Sequence, residues 1–260
     1  MDWLNTVAGF GVGLMVGLTG VGGGALMTPI LVLLFGVAPA AAVGTDLWFA
    51  AITKMAGGAL HHSRGSVDWE VLRRLCAGSL PAAVVTLWWL HATGGSQTKQ
   101  GLILQALGGV LLLTAVAMLF KKRMHAVGAR IRATAPEKFK RAQPPMTVAA
   151  GAVLGFLVTL TSVGAGALGT VMLVYLYPRR MIPTRLVGTD IVHAIPLTVV
   201  AGTGHLLMGN VDLRLLGSLL VGSVPGVLIG AHFSSKTPET WLRTAIAVVL
   251  ALVGFKLVVT

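Results

Sequence analysis

Long apolar runs, separated by short polar connectors, dominate the chain. Runs such as 101–120 and 240–255 approach the roughly 20 apolar residues that a helix needs to cross a bilayer. The pattern predicts an all-α integral membrane protein with five apolar segments in each of two halves. The segments are 3–18, 25–37, 41–62, 71–91 and 100–120 in the first half, and 147–160, 167–178, 184–208, 213–233 and 239–258 in the second.

The two halves carry the same motifs in the same order. Thr19–Leu26 recurs as Thr161–Leu168 at an offset of 142 residues, and Val43–Asp46 recurs as Val187–Asp190 at an offset of 144. At this second offset, further matches pair His61 with His205, Asp68 with Asp212, and Gly78–Pro81 with Gly222–Pro225. The shared order predicts a duplication, with a first membrane repeat over 1–120, a second over 147–260, and a connector over 121–146.

Composition agrees with a membrane location. Hydrophobic residues make up 55% of the 260 residues and charged residues only 11%, whereas soluble domains carry about a quarter charged residues. The 34 glycines suit closely packed membrane helices. The single cysteine, Cys76, rules out an internal disulfide framework, and the sequence predicts neither a metal site nor a cofactor.

Much of the net charge of +12 lies in the connector 121–146, which holds eight basic residues and a single acidic one, Glu137. The positive-inside rule predicts that this segment is a cytoplasmic loop, and contact with anionic lipid headgroups is compatible with that position. The charge therefore does not indicate a nucleic-acid partner. Homo-oligomerisation is left open by the sequence.

The remaining charges predict how the segments cross the membrane. In each half, the first segment and the short second one form a pair joined by the Gly-rich turn. If the second segment returns to the side of the membrane where the first began, both termini lie outside. The cytoplasmic side then holds the cations Arg64, Arg179, Arg180, Arg185 and Lys236. Treating each pair as one broken helix would place most of these cations outside. We therefore expect two inverted-topology repeats, each with a Gly-hinged pair of short segments plus three longer transmembrane helices.

The Gly-rich turns are candidate binding sites. Glycine allows the backbone to approach a ligand closely, and a helix that starts after such a turn directs free N–H groups toward it. Close helix packing is the alternative explanation, and we prefer it for the Gly9 and Gly13 series. The candidate substrate-binding residues in the turns are Thr19, Gly20, Gly22, Gly23 and Gly24 in the first half, and Thr161, Ser162, Gly164 and Gly166 in the second.

Ionisable residues inside apolar segments are costly, so they are functional candidates. Asp46, Lys54 and His61 share one face of the third segment, and the second half carries Asp190, His193 and His205. We assign Lys54, with Thr45 and Thr189, to substrate binding, and the two aspartates and three histidines to proton coupling. An internal Lys54–Asp46 ion pair, aspartates that fix helix starts, and histidines at helix ends are the structural alternatives. Asp68 and Asp212, each just before the fourth segment of its half, are predicted to cap those helices.

The motifs resemble those of a known family. Gly17–Gly24, Pro29, Val43–Thr45 and His61-xxx-Gly65-x-Val67-Asp68-Trp69, repeated in degenerate form, resemble the sulfite exporter TauE/SafE family of membrane permeases. The resemblance implies transport of sulfite, sulfoacetate or other sulfonates through the plasma membrane of a bacterium. The second turn departs from the first at Ser162 and Ala165.

These observations together predict a secondary transporter of a small anion that works by alternating access between the two repeats. Lys54 is the unmatched intramembrane cation, because its counterpart in the second half is Thr198. A divalent metal-cation permease is the alternative within the same class, although a fixed positive charge repels a cation. A membrane-embedded enzyme or a sensor subunit is the alternative from another class. No nucleophile–base pattern is present, so no catalytic residue is predicted.

Overall fold

A computed structural model of the chain describes residues 3–19, 24–63, 65–94, 99–233 and 239–259. These residues form ten helices and no strand, which confirms the all-α class. The helices are α1 (Trp3–Thr19), α2 (Gly24–Leu33), α3 (Pro39–Ser63), α4 (Trp69–Ala92), α5 (Gln100–Thr134), α6 (Pro136–Thr161), α7 (Ala167–Leu176), α8 (Pro183–Leu207), α9 (Leu213–Phe233) and α10 (Glu239–Val259).

Within the described residues, five helices are long and apolar enough to cross a membrane. They are α4, α5, α6, α8 and the Leu213–Gly230 part of α9. By contrast, α2 and α7 have 10 residues each. At about 1.5 Å of rise per residue, each extends about 15 Å, or half of a hydrocarbon core of about 30 Å. The short second segment that the sequence predicts in each half is therefore a short helix.

The basic connector differs from the expected loop because it is helical. Helix α5 has 35 residues and continues to Thr134, and α6 starts at Pro136 after a break at Ala135. Lys, Arg, Ala and Met are good helix formers, so a change from apolar to basic residues does not end a helix. A proline in the first turn is compatible with the start of α6. The segment 121–146 thus marks a change of polarity, while the secondary structure continues.

Glycines bring helices of different halves into close contact. A Cβ atom at Gly9 of α1 would overlap the carbonyl oxygen of Leu219 in α9, and one at Gly222 would overlap that of Thr6. The repeat-related pair α6 and α4 packs in the same way. There, Gly151 lies against the Leu75 carbonyl and Gly78 against that of Val148. The packing role predicted for the Gly9 series is confirmed, and each half packs into the other.

Both helix pairs run parallel, since the contacts advance together along the two helices. Gly222, Gly226 and Gly230 of α9 meet Thr6, Phe10 and Leu14 of α1 in turn. Helix α1 therefore starts where α9 starts, next to Asp212. We call the loops 34–38 and 208–212, with the start of α1, the Asp212 end.

Helix α3 connects this end to the opposite one. It has 25 residues and leads into the connector 65–68. We call this connector, the loop 177–182 and the start of α6 the Asp68 end. The buried apolar core lies between the two ends and includes Leu107 and Leu111 of α5 and Leu154 of α6.

Candidate functional site

The second-half turn lies where the interrupted apolar segment predicts one. Helix α6 ends at Thr161 and α7 begins at Ala167. Between them, Ser162 has φ 60°, Gly164 φ 121° and Gly166 φ 122°. Glycine adopts such angles without steric cost, which explains its presence at 164 and 166. The Thr161 hydroxyl donates to the Leu157 carbonyl at 2.7 Å and also accepts from the Val163 N–H at 3.2 Å.

The first-half turn falls largely outside the described residues. Gly20, Gly22 and Gly23 are not described, and for Thr19 and Gly24 only the helical backbone is. Their assignment to substrate binding stays a prediction. The end of α1 at Thr19 and the start of α2 at Gly24 place the interruption where the sequence predicts it.

Lys54 of α3 reaches the turn of the other half. Its side chain is buried, with 5% relative exposure, and its ammonium group donates to the Ala165 carbonyl at 3.4 Å. Asp46 and Asp190 are both close enough to interact with it electrostatically. Neither forms a direct ion pair with Lys54 among the ion pairs of the described chain. The alternative of a closed Lys54–Asp46 ion pair therefore lacks a direct contact.

The two buried aspartates occupy related positions in the two halves. Asp46 accepts a hydrogen bond from the hydroxyl of Thr28 in α2 at 2.5 Å. Asp190 lies against the first turn of α7, where a Cβ atom at Gly169 would overlap its Oδ1. Each carboxylate therefore lies against the short helix of its own half. A negative charge at a helix N-terminus is stabilised by the helix dipole, which applies directly to Asp190.

The two halves differ at the position of Lys54. Its repeat counterpart, Thr198 of α8, is buried and donates its hydroxyl to the Ala194 carbonyl of its own helix at 2.8 Å. Thr198 therefore directs no charge toward either turn. The centre of the molecule holds two related carboxylates and one unmatched ammonium group.

Several buried polar atoms near these groups have no hydrogen-bond partner within the part of the chain that the structure describes. They are His193 Nδ1 and two atoms that lie near each other without the geometry of a hydrogen bond, Asp46 Oδ1 and Ser162 Oγ. Buried polar atoms in folded proteins are nearly always hydrogen-bonded. Together these atoms offer a carboxylate acceptor, a hydroxyl and a ring nitrogen to a bound group or to water.

The histidines differ in how they are held. His193 contacts Ser79 of α4 through Nε2 at 2.9 Å, and its Nδ1 is the unpartnered atom. His205 donates through Nε2 to the Thr159 carbonyl at 2.9 Å, and its Nδ1 lies 3.5 Å from the side-chain nitrogen of Asn210. His205 thus has partners at both ring nitrogens, as in a structural histidine. The side chain of His61 is outside the described residues.

Thr45 and Thr189 lie at opposite ends of the molecule and are not brought together. The Thr189 hydroxyl accepts the backbone N–H of Asp68 at 2.9 Å, and the Thr45 hydroxyl accepts that of Asp212 at 3.1 Å. Asp68 and Asp212 in turn cap α4 and α9, as predicted: Asp68 accepts from the Val71 N–H and Asp212 from that of Leu215. Both threonines therefore link the two halves.

Sequence reasoning missed an ionic contact at the Asp68 end. Arg180 binds both carboxylate oxygens of Asp68, at 2.5 and 2.7 Å, and one oxygen of Glu70 at 2.8 Å. Arg74 also pairs with Glu70. In the sequence, Arg180 served only as a marker of topology and Asp68 only as a helix cap. With only eight acidic residues in the chain, the closely spaced pair Asp68 and Glu70 was the available signal.

Comparison with known proteins gives concordant matches. The family described as Sulfite exporter TauE/SafE matches residues 6–257. A Bacillus subtilis (strain 168) protein named Probable membrane transporter protein YjnA is 38% identical over 255 residues, covering 96% of this chain and 97% of the relative. Probable membrane transporter protein YdhB of the same organism is 28% identical over 248 residues, covering 95% of this chain and 96% of that protein. No solved structure gives a significant match.

Proposed function

Because the chain belongs to the sulfite exporter TauE/SafE family, we propose that it is a secondary transporter of a small anion, sulfite or an organosulfonate. Membership in this family, with its apolar helices, makes the chain a membrane transporter and not an enzyme. The observation that favours an anionic substrate is the buried ammonium group of Lys54, which lies beside the second-half turn. A bacterial cell membrane is the location that follows from the family.

Lys54 is suited to receive an anion because its present contact is weak. It donates to a neutral carbonyl at 3.4 Å, and neither nearby aspartate pairs with it directly. A sulfite or sulfonate oxygen at this position would form a charge-assisted hydrogen bond, which is about twice as strong as a neutral one. The turn residues Gly164 and Gly166 would supply backbone N–H groups, with Ser162 as an additional donor.

The charges of the central groups favour proton coupling. With all three groups ionised, Asp46, Asp190 and Lys54 carry a net charge of −1, and a bound anion would make it more negative. Burying uncompensated charge is strongly unfavourable. Protons taken up by the aspartates would offset the anion, so the anion and protons would enter together. The unpartnered His193 Nδ1 is a further candidate for proton transfer.

Alternating access follows from the proposed arrangement of the halves. The reciprocal packing of α1 with α9 and of α6 with α4 supports two inverted repeats, because the repeat-related helices α1 and α6 start at opposite ends. In that arrangement the pairs α1–α2 and α6–α7 are the Gly-hinged elements. We place the Asp68 end, with the basic segment 121–146, in the cytoplasm and both termini outside.

The experiment measures anion flux into proteoliposomes that are reconstituted with the purified chain. Radiolabelled sulfite and sulfoacetate are tested with and without an imposed pH gradient, and nickel uptake is measured in parallel. We expect anion flux that requires Lys54, so that Lys54→Met loses it while Lys122→Met, an exposed lysine outside the centre, keeps it. Anion flux unchanged by Lys54→Met, or nickel flux without anion flux, would refute the proposal.

A further inference from the structure

A cavity of about 500 Å³ at the Asp68 end is surrounded by cations. Five basic side chains line it and no acidic side chain does: Arg132, Lys140, Arg179, Arg180 and Arg185. Its volume lies within the range of small-molecule sites, roughly 300–1,000 Å³. The cavity is separate from Lys54 and from the turns, so it is not part of the central site described above.

The cations come from four separate parts of the chain. Arg132 lies near the end of α5, Lys140 in the second turn of α6, Arg179 and Arg180 in the loop after α7, and Arg185 on α8. The positive-inside rule requires only that cations lie on one side of the membrane. It does not explain why they converge on one concave surface.

The cavity is held in shape by hydrogen bonds behind the cations. Gln143 of α6 donates to the Leu176 carbonyl at 2.6 Å, and the His125 ring of α5 lies 2.9 Å from the Pro178 carbonyl. These bonds fasten the loop 177–182 to the helical extensions of α5 and α6. Because the connector is helical, Arg132 and Lys140 project from helices that are bonded to the loop carrying Arg179 and Arg180.

Most of the positive charge in the cavity is uncompensated. Arg180 pairs with Asp68 and Glu70, but the other four cations form no ion pair within the described ranges. Like charges around one concave surface repel one another, and such a surface concentrates counter-ions. The ion pairs of Arg180 use Nε and Nη2, so its Nη1 remains available to a group inside the cavity.

We propose that this cavity is an oxyanion-binding site that takes a sulfate-, sulfonate- or phosphate-type group. Guanidinium groups match the paired oxygens of such groups and bind them with two parallel hydrogen bonds. Two sources share this chemistry: a free anion from the aqueous phase, or the headgroup of an anionic phospholipid. The second is possible because α5 changes from apolar to basic residues near Lys121, which is where headgroups would lie.

The test uses the full-length chain in nanodiscs of phosphatidylcholine, with the substitution Lys54→Met as background so that the central site does not contribute. Sodium sulfate and sodium phosphate are titrated by calorimetry at constant ionic strength. We expect saturable binding that Arg179→Gln with Arg185→Gln weakens by on the order of tenfold or more, as expected for the loss of charged hydrogen bonds. The matched control, Arg123→Gln with Arg214→Gln, removes two exposed arginines outside the cavity and should leave the affinity unchanged.

A second arm identifies the source of the oxyanion. Nanodiscs in which part of the phosphatidylcholine is replaced by phosphatidylglycerol are compared with neutral ones, and retained lipid is counted by native mass spectrometry. Retained phosphatidylglycerol that is lost in the cavity variant assigns the site to a headgroup, whereas sulfate or phosphate binding that phosphatidylglycerol does not reduce assigns it to a free anion. The proposal is overturned if the cavity variant, folded as judged by its melting temperature, matches the parent protein with every probe. Because Lys54 is absent throughout, this failure would leave the transport proposal untouched.

Discussion

The Asp68 end and the Asp212 end share a backbone arrangement but differ in charge. At each end a threonine accepts the N–H of the capping aspartate, with Thr189 on Asp68 at 2.9 Å and Thr45 on Asp212 at 3.1 Å. At one end, however, Arg180 binds the capping carboxylate of Asp68, whereas Asp212 accepts only backbone N–H groups within the described residues. The two ends thus share a backbone contact and differ in the charged side chains around it.

This difference bears on the proposed mechanism of alternating access, in which one end opens at a time. Among the described residues, opening the Asp68 end would break ion pairs as well as the threonine contact, whereas the Asp212 end has the threonine contact without an ion pair. The two ends should therefore differ in the free energy needed to open them. At the centre of the molecule the halves differ in the same way: the first half has the buried cation Lys54 where the second half has the buried, uncharged Thr198.

We expect the largest effect on transport from replacing Lys54, the charged residue that distinguishes the first half from the second at the centre of the molecule. Lys54→Thr gives α3 the residue that α8 has at this position, and it leaves both aspartates without a compensating cation. We expect anion flux in proteoliposomes to fall by on the order of 100-fold, because truncating one member of a buried charged set costs several kcal/mol. Thr198→Val, which changes the matched position without altering charge, serves as control and should retain most of the flux. Substantial flux in Lys54→Thr would show that the anion is held elsewhere.

The second-largest effect is expected on the pH dependence of uptake when Asp46 or Asp190 is replaced. If protons enter with the anion, acidifying the side from which the anion is taken should accelerate uptake, since the proton is then a co-substrate. In Asp190→Asn and Asp46→Asn, uptake should lose this dependence on the pH gradient, while anion exchange at equal pH on both sides persists in part. The measurement is sulfite uptake with and without an imposed gradient. Gradient-driven uptake that survives both substitutions would exclude the aspartates from coupling.

The sequence predicts the helices well and the connector poorly, for one physical reason. The length of an apolar run indicates how much of the chain lies in lipid. The turn before Ala167 and the short helix α7 are therefore predicted from the break in the apolar run. Beyond Lys121 the same signal reports only that the chain leaves the lipid, although α5 continues to Thr134. Helix propensity is the information needed there, and a polarity pattern does not contain it.

The residue types of the candidate site follow from the sequence, whereas the contacts between them do not. Lys54 and Asp190 stand out in the sequence because charge is rare in apolar segments. That Lys54 contacts the Ala165 carbonyl, 111 residues away, depends on how the halves interlock. The repeat cannot predict the Arg180–Asp68 pair either, because an ion pair present at one end only is a departure from the repeat.

A smaller effect should separate the two ends in stability. Arg180→Gln leaves the buried carboxylate of Asp68 without its cation, and we expect a loss of about 2 kcal/mol in the free energy of unfolding, typical of hydrogen bonds to charged groups. Arg214→Gln at the Asp212 end is the control, since the exposed Arg214 side chain forms no ion pair in the described chain. Reversible denaturation in mixed detergent micelles measures both. Equal losses at the two ends would contradict the proposed difference between them.

The smallest effect tests whether the threonine contact and the ion pair act together. Thr189→Val and Thr45→Val each remove the acceptor of one backbone N–H and should cost about 1 kcal/mol of unfolding free energy. At the Asp68 end, the N–H and the carboxylate belong to the same residue, so loss of the Thr189 contact also shifts the group that Arg180 binds. The combination Thr189→Val with Arg180→Gln should therefore be non-additive by about 0.5–1 kcal/mol, as is common for residues in one hydrogen-bonded network. Thr45→Val with Arg214→Gln should be additive, because the Arg214 side chain pairs with no carboxylate among the described residues, and its backbone N–H contact with Asp212 is unchanged by the substitution. Additivity at both ends would mean that the ion pair at the Asp68 end is independent of the contact that the two halves share.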